Sequence, residues 1–98
     1  MMFRKSIEKR LLETSSRIKR EKEDLLVAEE QLTSLINDAE EARIRALVSE
    51  TAFSDNDRRG SARQAENMKN YCRKIQNEIN RLEEMQDELL DKLKLENM

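Results

Sequence analysis

The chain is expected to be all-α, folded as an antiparallel two-helix coiled-coil hairpin. Three observations predict this. Charged residues make up 41% of the 98 positions, aromatics only 3%, and proline is absent. Such a composition suits long helices that bury a narrow stripe, not a thick globular core. Apolar residues recur in alternating steps of four and three over two long stretches. One short break, "SETAFSDNDRRGS" at residues 49–61, separates those stretches and holds the sole glycine, Gly60. The length bounds the chain to one small domain over residues 1–98.

Helix one is expected over about residues 4–50. One heptad frame places Leu11, Ile18, Leu25, Leu32, Ala39 and Ala46 at a, and Ile7, Thr14, Glu21, Ala28, Leu35 and Ala42 at d. Ten of these twelve are apolar, and their flanks are largely charged, which is a coiled-coil seam. The turn is expected at about 51–54. Ser54 reads as a helix N-cap, because its hydroxyl can accept from orphan amides, and Asp55 and Asp57 suit the positive end of a helix dipole. A longer loop capped by Ser61 is the alternative start, and the Ser54 start is preferred. Helix two then covers about 55–96, with Ala65, Cys72, Ile79, Gln86 and Leu93 at a and Ser61, Met68, Ile75, Leu82 and Leu89 at d.

A short connection forces long helices back on each other. Charge agrees with that direction. Residues 1–22 carry eight basic and three acidic groups, and residues 83–98 carry six acidic and two basic. Residues 23–42 have seven acidic groups and no basic ones, against six basic and one acidic in 58–74. Each exposed pair contributes only about 0–1 kcal/mol, so their joint value is in choosing orientation. The expected register pairs residues whose numbers sum to about 107. It places Ile18 by Leu89, Leu35 by Cys72 and the polar Glu21 by Gln86. Glu21 and Gln86 are thus the expected register-setting layer, because a slip would leave each polar group unmet.

Two helices bury one seam each, so a lone hairpin of this size is marginal. Ile44, Leu47, Val48 and Phe53 lie off the seam and crowd the turn. They are expected to contact a protein partner or a second copy, the latter making a four-helix bundle, with Arg58 and Arg59 setting specificity. Catalysis is not expected. Histidine is absent and cysteine single, so ordinary zinc or haem ligation, a His-based triad and an intrachain disulfide are all ruled out. No cofactor is expected, and Cys72 at an a position reads as a structural thiol. The paired carboxylates read as solvated faces, since a hydrolytic pair needs a concave pocket to separate its pKa values. Net charge is −2, which argues against general nucleic-acid binding. The arginines near the turn (Arg43, Arg45, Arg58, Arg59, Arg63) are expected to partner Glu40, Glu41, Glu50, Asp55 and Asp57. A small anionic ligand between helices of a dimer is a third class, resting on those arginines alone. No apolar run approaches the roughly 18–20 residues of a membrane span. The N-terminus lacks a secretory apolar region, and the lone cysteine fits a reducing cytoplasm.

Two resemblances add to this reading. "RALVSETAF", "QAENM" and "LEEMQDELLDKL" resemble stretches of small uncharacterised helical proteins of actinobacteria, over roughly residues 43–93. There "ETPL" replaces the "ETAF" of Glu50 to Phe53, and "RQDELLDRL" the end of helix two. This resemblance implies a helical hairpin and no particular activity. The acidic turn, together with "RKIQNEINRLEE" at 73–84, resembles the coiled-coil finger of the Gre and DksA-like factors that enter the secondary channel of RNA polymerase. It implies an alternative function, transcription regulation through an acidic tip. Asp55 and Asp57, with Glu50 nearby, would stand where tip carboxylates approach the catalytic magnesium.

Overall fold

The computed structural model describes residues 2–97. Its elements are two α-helices, α1 at Met2–Ser49 and α2 at Ala52–Glu96, and they form an all-α helical hairpin. All buried residues among those described sit at a or d of the two frames, with Ser54 continuing the helix-two frame by one heptad.

The chain divides into two compact units, Met1–Asp24 with Ile75–Met98, and Leu25–Lys74. The first, the terminal unit, buries large side chains: Ile7, Ile18, Ile75, Ile79, Leu82 and Leu89. Its one buried polar residue, Thr14, donates from its hydroxyl to the Arg10 carbonyl at 2.7 Å and lies 3.8 Å from the Met85 sulfur. The second, the turn unit, buries small ones: Ala28, Ala42, Ser54 and Cys72. Leu25, Leu32, Leu35 and Met68 are only half-buried there. Area removed from water sets hydrophobic stabilisation, so the large-residue unit carries more of it per layer.

The register corrects the sequence expectation. Gln86 Nε2 donates to Ser15 Oγ at 3.0 Å, not to Glu21. With the Thr14–Met85 contact, this places residues whose numbers sum to about 100 side by side in the terminal unit. Ile18 thus falls level with Leu82 instead of Leu89, and Glu21 level with Ile79, so Glu21 and Gln86 do not share a layer. Two ion pairs join the helices here, Arg17–Glu78 at 3.1 Å and Lys22–Glu83 at 3.9 Å.

The reason lies in the turn, which is Glu50–Thr51 and not 51–54. Thr51, not Ser54, caps α2. The Ser54 amide donates to Thr51 Oγ1 at 3.1 Å, and the Thr51 amide donates to Ser54 Oγ at 3.3 Å. This is a reciprocal capping box with serine at the third helical position. Glu50 has φ of 50°, and its amide bonds the Ala46 carbonyl at 3.1 Å. That bond and that left-handed residue are the αL motif that ends a helix. Moving the turn centre back by about two residues moves the facing layers by a whole heptad, because seams match only in seven-residue steps.

Candidate functional site: the turn-proximal surface

The capping box sets where Phe53 stands. With Thr51 as cap, Phe53 enters the first turn of α2 and not a loop. It is 84% exposed, and Val48 is 81% exposed. On α1, Ile44 and Val48 are one turn apart and present one face. Ile44, Val48 and Phe53 line one open concavity of about 500 Å³, together with Arg45, Ser49, Thr51, Ser54 and Asp57. Three of these lining residues are joined by hydrogen bonds. The Ser49 hydroxyl donates to the Arg45 carbonyl at 2.7 Å and lies 2.8 Å from Ser54 Oγ. Its polar wall is the Arg45–Asp57 pair, at 3.2 Å, which joins the helices beside the turn.

Three apolar residues of the expected set are thereby brought together. The fourth, Leu47, is 64% exposed but does not line the concavity. Arg58 and Arg59 stand elsewhere too. Arg58 holds Asp55 Oδ1 through Nε at 3.1 Å and Nη2 at 3.0 Å, and Arg59 holds Oδ2 at 2.6 Å. Sequence reasoning did not single out Arg45 and Asp57 as a pair. Their separation by twelve positions reveals nothing until the turn is known to be two residues long.

Of the three acidic residues expected at the tip, the two on α2, Asp55 and Asp57, are held by arginines, while Glu50 in the turn is exposed and its carboxylate is in none of the ion pairs among the described residues. Asp57 is paired with Arg45, while Asp55 is shared by Arg58 and Arg59. The expected partnering of Arg43 with Glu40 is present as a two-pronged contact at 2.7 and 3.1 Å. Among the described residues, no group of three His, Cys, Asp or Glu gathers to hold a metal. None of the helices is long and apolar enough to cross a membrane.

Hydrogen bonds from Arg58 and then Arg59 hold the Asp55 carboxyl below its ordinary pKa, and a bond from Arg43 does the same for Glu40. Arg81 acts likewise on Glu78 in the terminal unit. While the folded carboxylate stays charged, its unfolded counterpart takes up a proton. The stabilisation is therefore complete above the ordinary value and is lost as pH falls through the folded value. The urea midpoint should be flat between about pH 7 and 5 and fall below about pH 4. In Asp55→Asn the fall should be shallower, and an unchanged acid limb would show that the Asp55 pairs do not form in solution.

No family model, curated protein or solved structure matches the chain.

Proposed function

We propose that the chain is a non-enzymatic interaction module that docks an apolar side chain of a protein partner in the concavity beside its turn. The carrying observation is the clustering of Ile44, Val48 and Phe53 around one opening, with Val48 and Phe53 more than four-fifths exposed. Clustered apolar side chains ringed by polar groups are the usual anatomy of a binding hot spot. Arg45 and Asp57 supply that rim with both signs of charge.

The test is capture from native lysate by wild type and by variants. Val48→Asp with Phe53→Asp places two carboxylates in the concavity and should abolish retention of a specific partner. Leu47→Asp, outside the concavity, should retain it. Equal loss in both, or loss in neither, contradicts the assignment. Recovery of the chain alone would favour self-association into a four-helix bundle.

Transcription regulation through RNA polymerase makes a different demand. It needs Asp55 and Asp57 free to approach magnesium, whereas here both are engaged by arginines. Under that reading, Asp55→Asn with Asp57→Asn would keep polymerase binding and lose any effect on transcription.

A further inference from the structure

The turn unit leaves one side of its own seam uncovered. Every a position of α1 there, Leu25, Leu32, Ala39 and Ala46, is only half-buried, whereas Ala28 and Ala42 are buried at d. Positions e and b lie next to a around the helix. On α1 they carry three exposed apolar residues, Leu26, Ile36 and Leu47. Ile36 lines an open concavity of about 250 Å³ with Ala39, Ala62 and Ala65, together with Glu40, Arg43 and Arg58. None of these residues lines the concavity of Val48 and Phe53.

The charges on this side run in a reversible order. The e positions of α1 read Glu29, Ile36, Arg43, and those of α2 read Asp55, Ala62, Lys69. Each row is acid, apolar, base at seven-residue steps, so a half-turn about its middle lays acid on base at both ends. The b positions share the same centres: Leu26 falls on Leu47, and Arg59 on Glu66. At a, Leu25 falls on Ala46 and Leu32 on Ala39, large on small. Within the hairpin these charges have no partner on the other helix. Glu29, Glu66 and Lys69 are in none of the ion pairs among the described residues, and Arg43, Asp55 and Arg59 pair only along their own helix.

We propose that the turn unit pairs through this side with the turn unit of a second copy, α1 on α1 and α2 on α2, antiparallel about a twofold axis passing Ile36 and Ala62. An isologous interface requires a patch that complements itself, which both rows do. Ile36 and Ala62 line one concavity, so one axis serves both. In a parallel pair, α1 on α2 of the second copy, the e rows also match in charge, but Leu26 then meets Arg73 and Leu47 meets Ala52. The antiparallel pair sets Leu26 on Leu47 and covers the half-buried a positions, as in a four-helix bundle. From Leu26 to Leu47 the face runs about 30 Å at 1.5 Å per residue. The pairing does not rest on the docking reading, and it leaves Val48 and Phe53 open in both copies.

Sedimentation equilibrium reads the association. Wild type should dimerise with a Kd of about 10 μM or tighter. Ile36→Glu sets two carboxylates together at the axis and should raise that Kd at least about tenfold. Val48→Asp with Phe53→Asp should leave it unchanged. Orientation is read from two proteins in a Cys72→Ala background, one carrying Leu26→Cys and the other Leu47→Cys, each confirmed helical by circular dichroism. Oxidised in glutathione buffer, their mixture should give a covalent dimer, and neither protein alone should. A monomeric wild type would leave this side to a different protein and overturn the proposal. So would a dimer indifferent to Ile36→Glu, one lost in the Val48→Asp, Phe53→Asp protein, or a mixture that forms no disulfide.

Discussion

Leu82→Ala should destabilise the protein by about 3 kcal/mol, within the range of roughly 2–5 kcal/mol for emptying a buried leucine site. Leu82 is 0% exposed, in a unit whose seam consists of large side chains. The register sets it level with Ile18, itself buried. Alanine is the best helix former, so the substitution leaves α2 intrinsically no weaker and the loss reports burial alone. In a domain of this length about 1 kcal/mol moves the midpoint by roughly 4–8 °C, so a fall of at least about 12 °C is expected. Leu12→Ala and Leu95→Ala are the controls. Both side chains are exposed, and each change should stay within about 0.5 kcal/mol. Urea titrations followed by circular dichroism compare the three. Equal losses at all of them would mean that the seam is not where the terminal unit holds together.

The second large effect is a gain. Glu50→Gly with Gly60→Ala should stabilise the hairpin by about 2 kcal/mol, since each change is worth about 1 kcal/mol. Glu50 holds the left-handed position that glycine fills without strain. Gly60 lies inside α2, and a methyl group added there meets nothing within 4 Å. The two sites share no partners, so their effects should add. The thermal midpoint should rise by about 10 °C. If Glu50→Gly alone lowers the midpoint, residue 50 is helical in solution and the two-residue turn is wrong. Glu50→Ala distinguishes strain from charge, because it deletes the carboxylate but keeps the Cβ. It should give little of the gain.

The same two residues explain why the sequence revealed the seams but not their register. The heptad positions of Ile7, Ile18, Ile75, Ile79, Leu82 and Leu89 are plain from spacing, and all six are buried. Spacing within a helix carries no information about which layer it faces, and that depends on where the chain turns. Thr51 and Ser54 are both good cap residues, and they bond each other, so residue type could not choose between them. The usual mark of a left-handed helix end, a glycine, stands ten residues too late at Gly60, while Glu50 gives no signal. With the turn about two residues earlier than cap chemistry suggests, Glu21 and Gln86 fall in different layers, and Gln86 bonds Ser15 instead.

The candidate site was legible in part for the same reason. Ile44, Leu47, Val48 and Phe53 stood out as apolar residues off the seam, and all are exposed. Placing Phe53 in a loop hid its position on the first turn of α2, where it shares an opening with Ile44 and Val48 but not Leu47. Arg58 and Arg59 were legible as basic neighbours of the turn. Their common hold on Asp55 follows from three- and four-residue spacing on one helix.

The most direct test of the docking surface is photo-crosslinking in cells from single positions carrying a benzophenone amino acid. Position 53 should give one discrete adduct with a partner protein. Position 12, equally apolar and 72% exposed but in the terminal unit, should give none. Indistinguishable patterns from the two positions, or no adduct from position 53, would contradict the assignment of function to the turn.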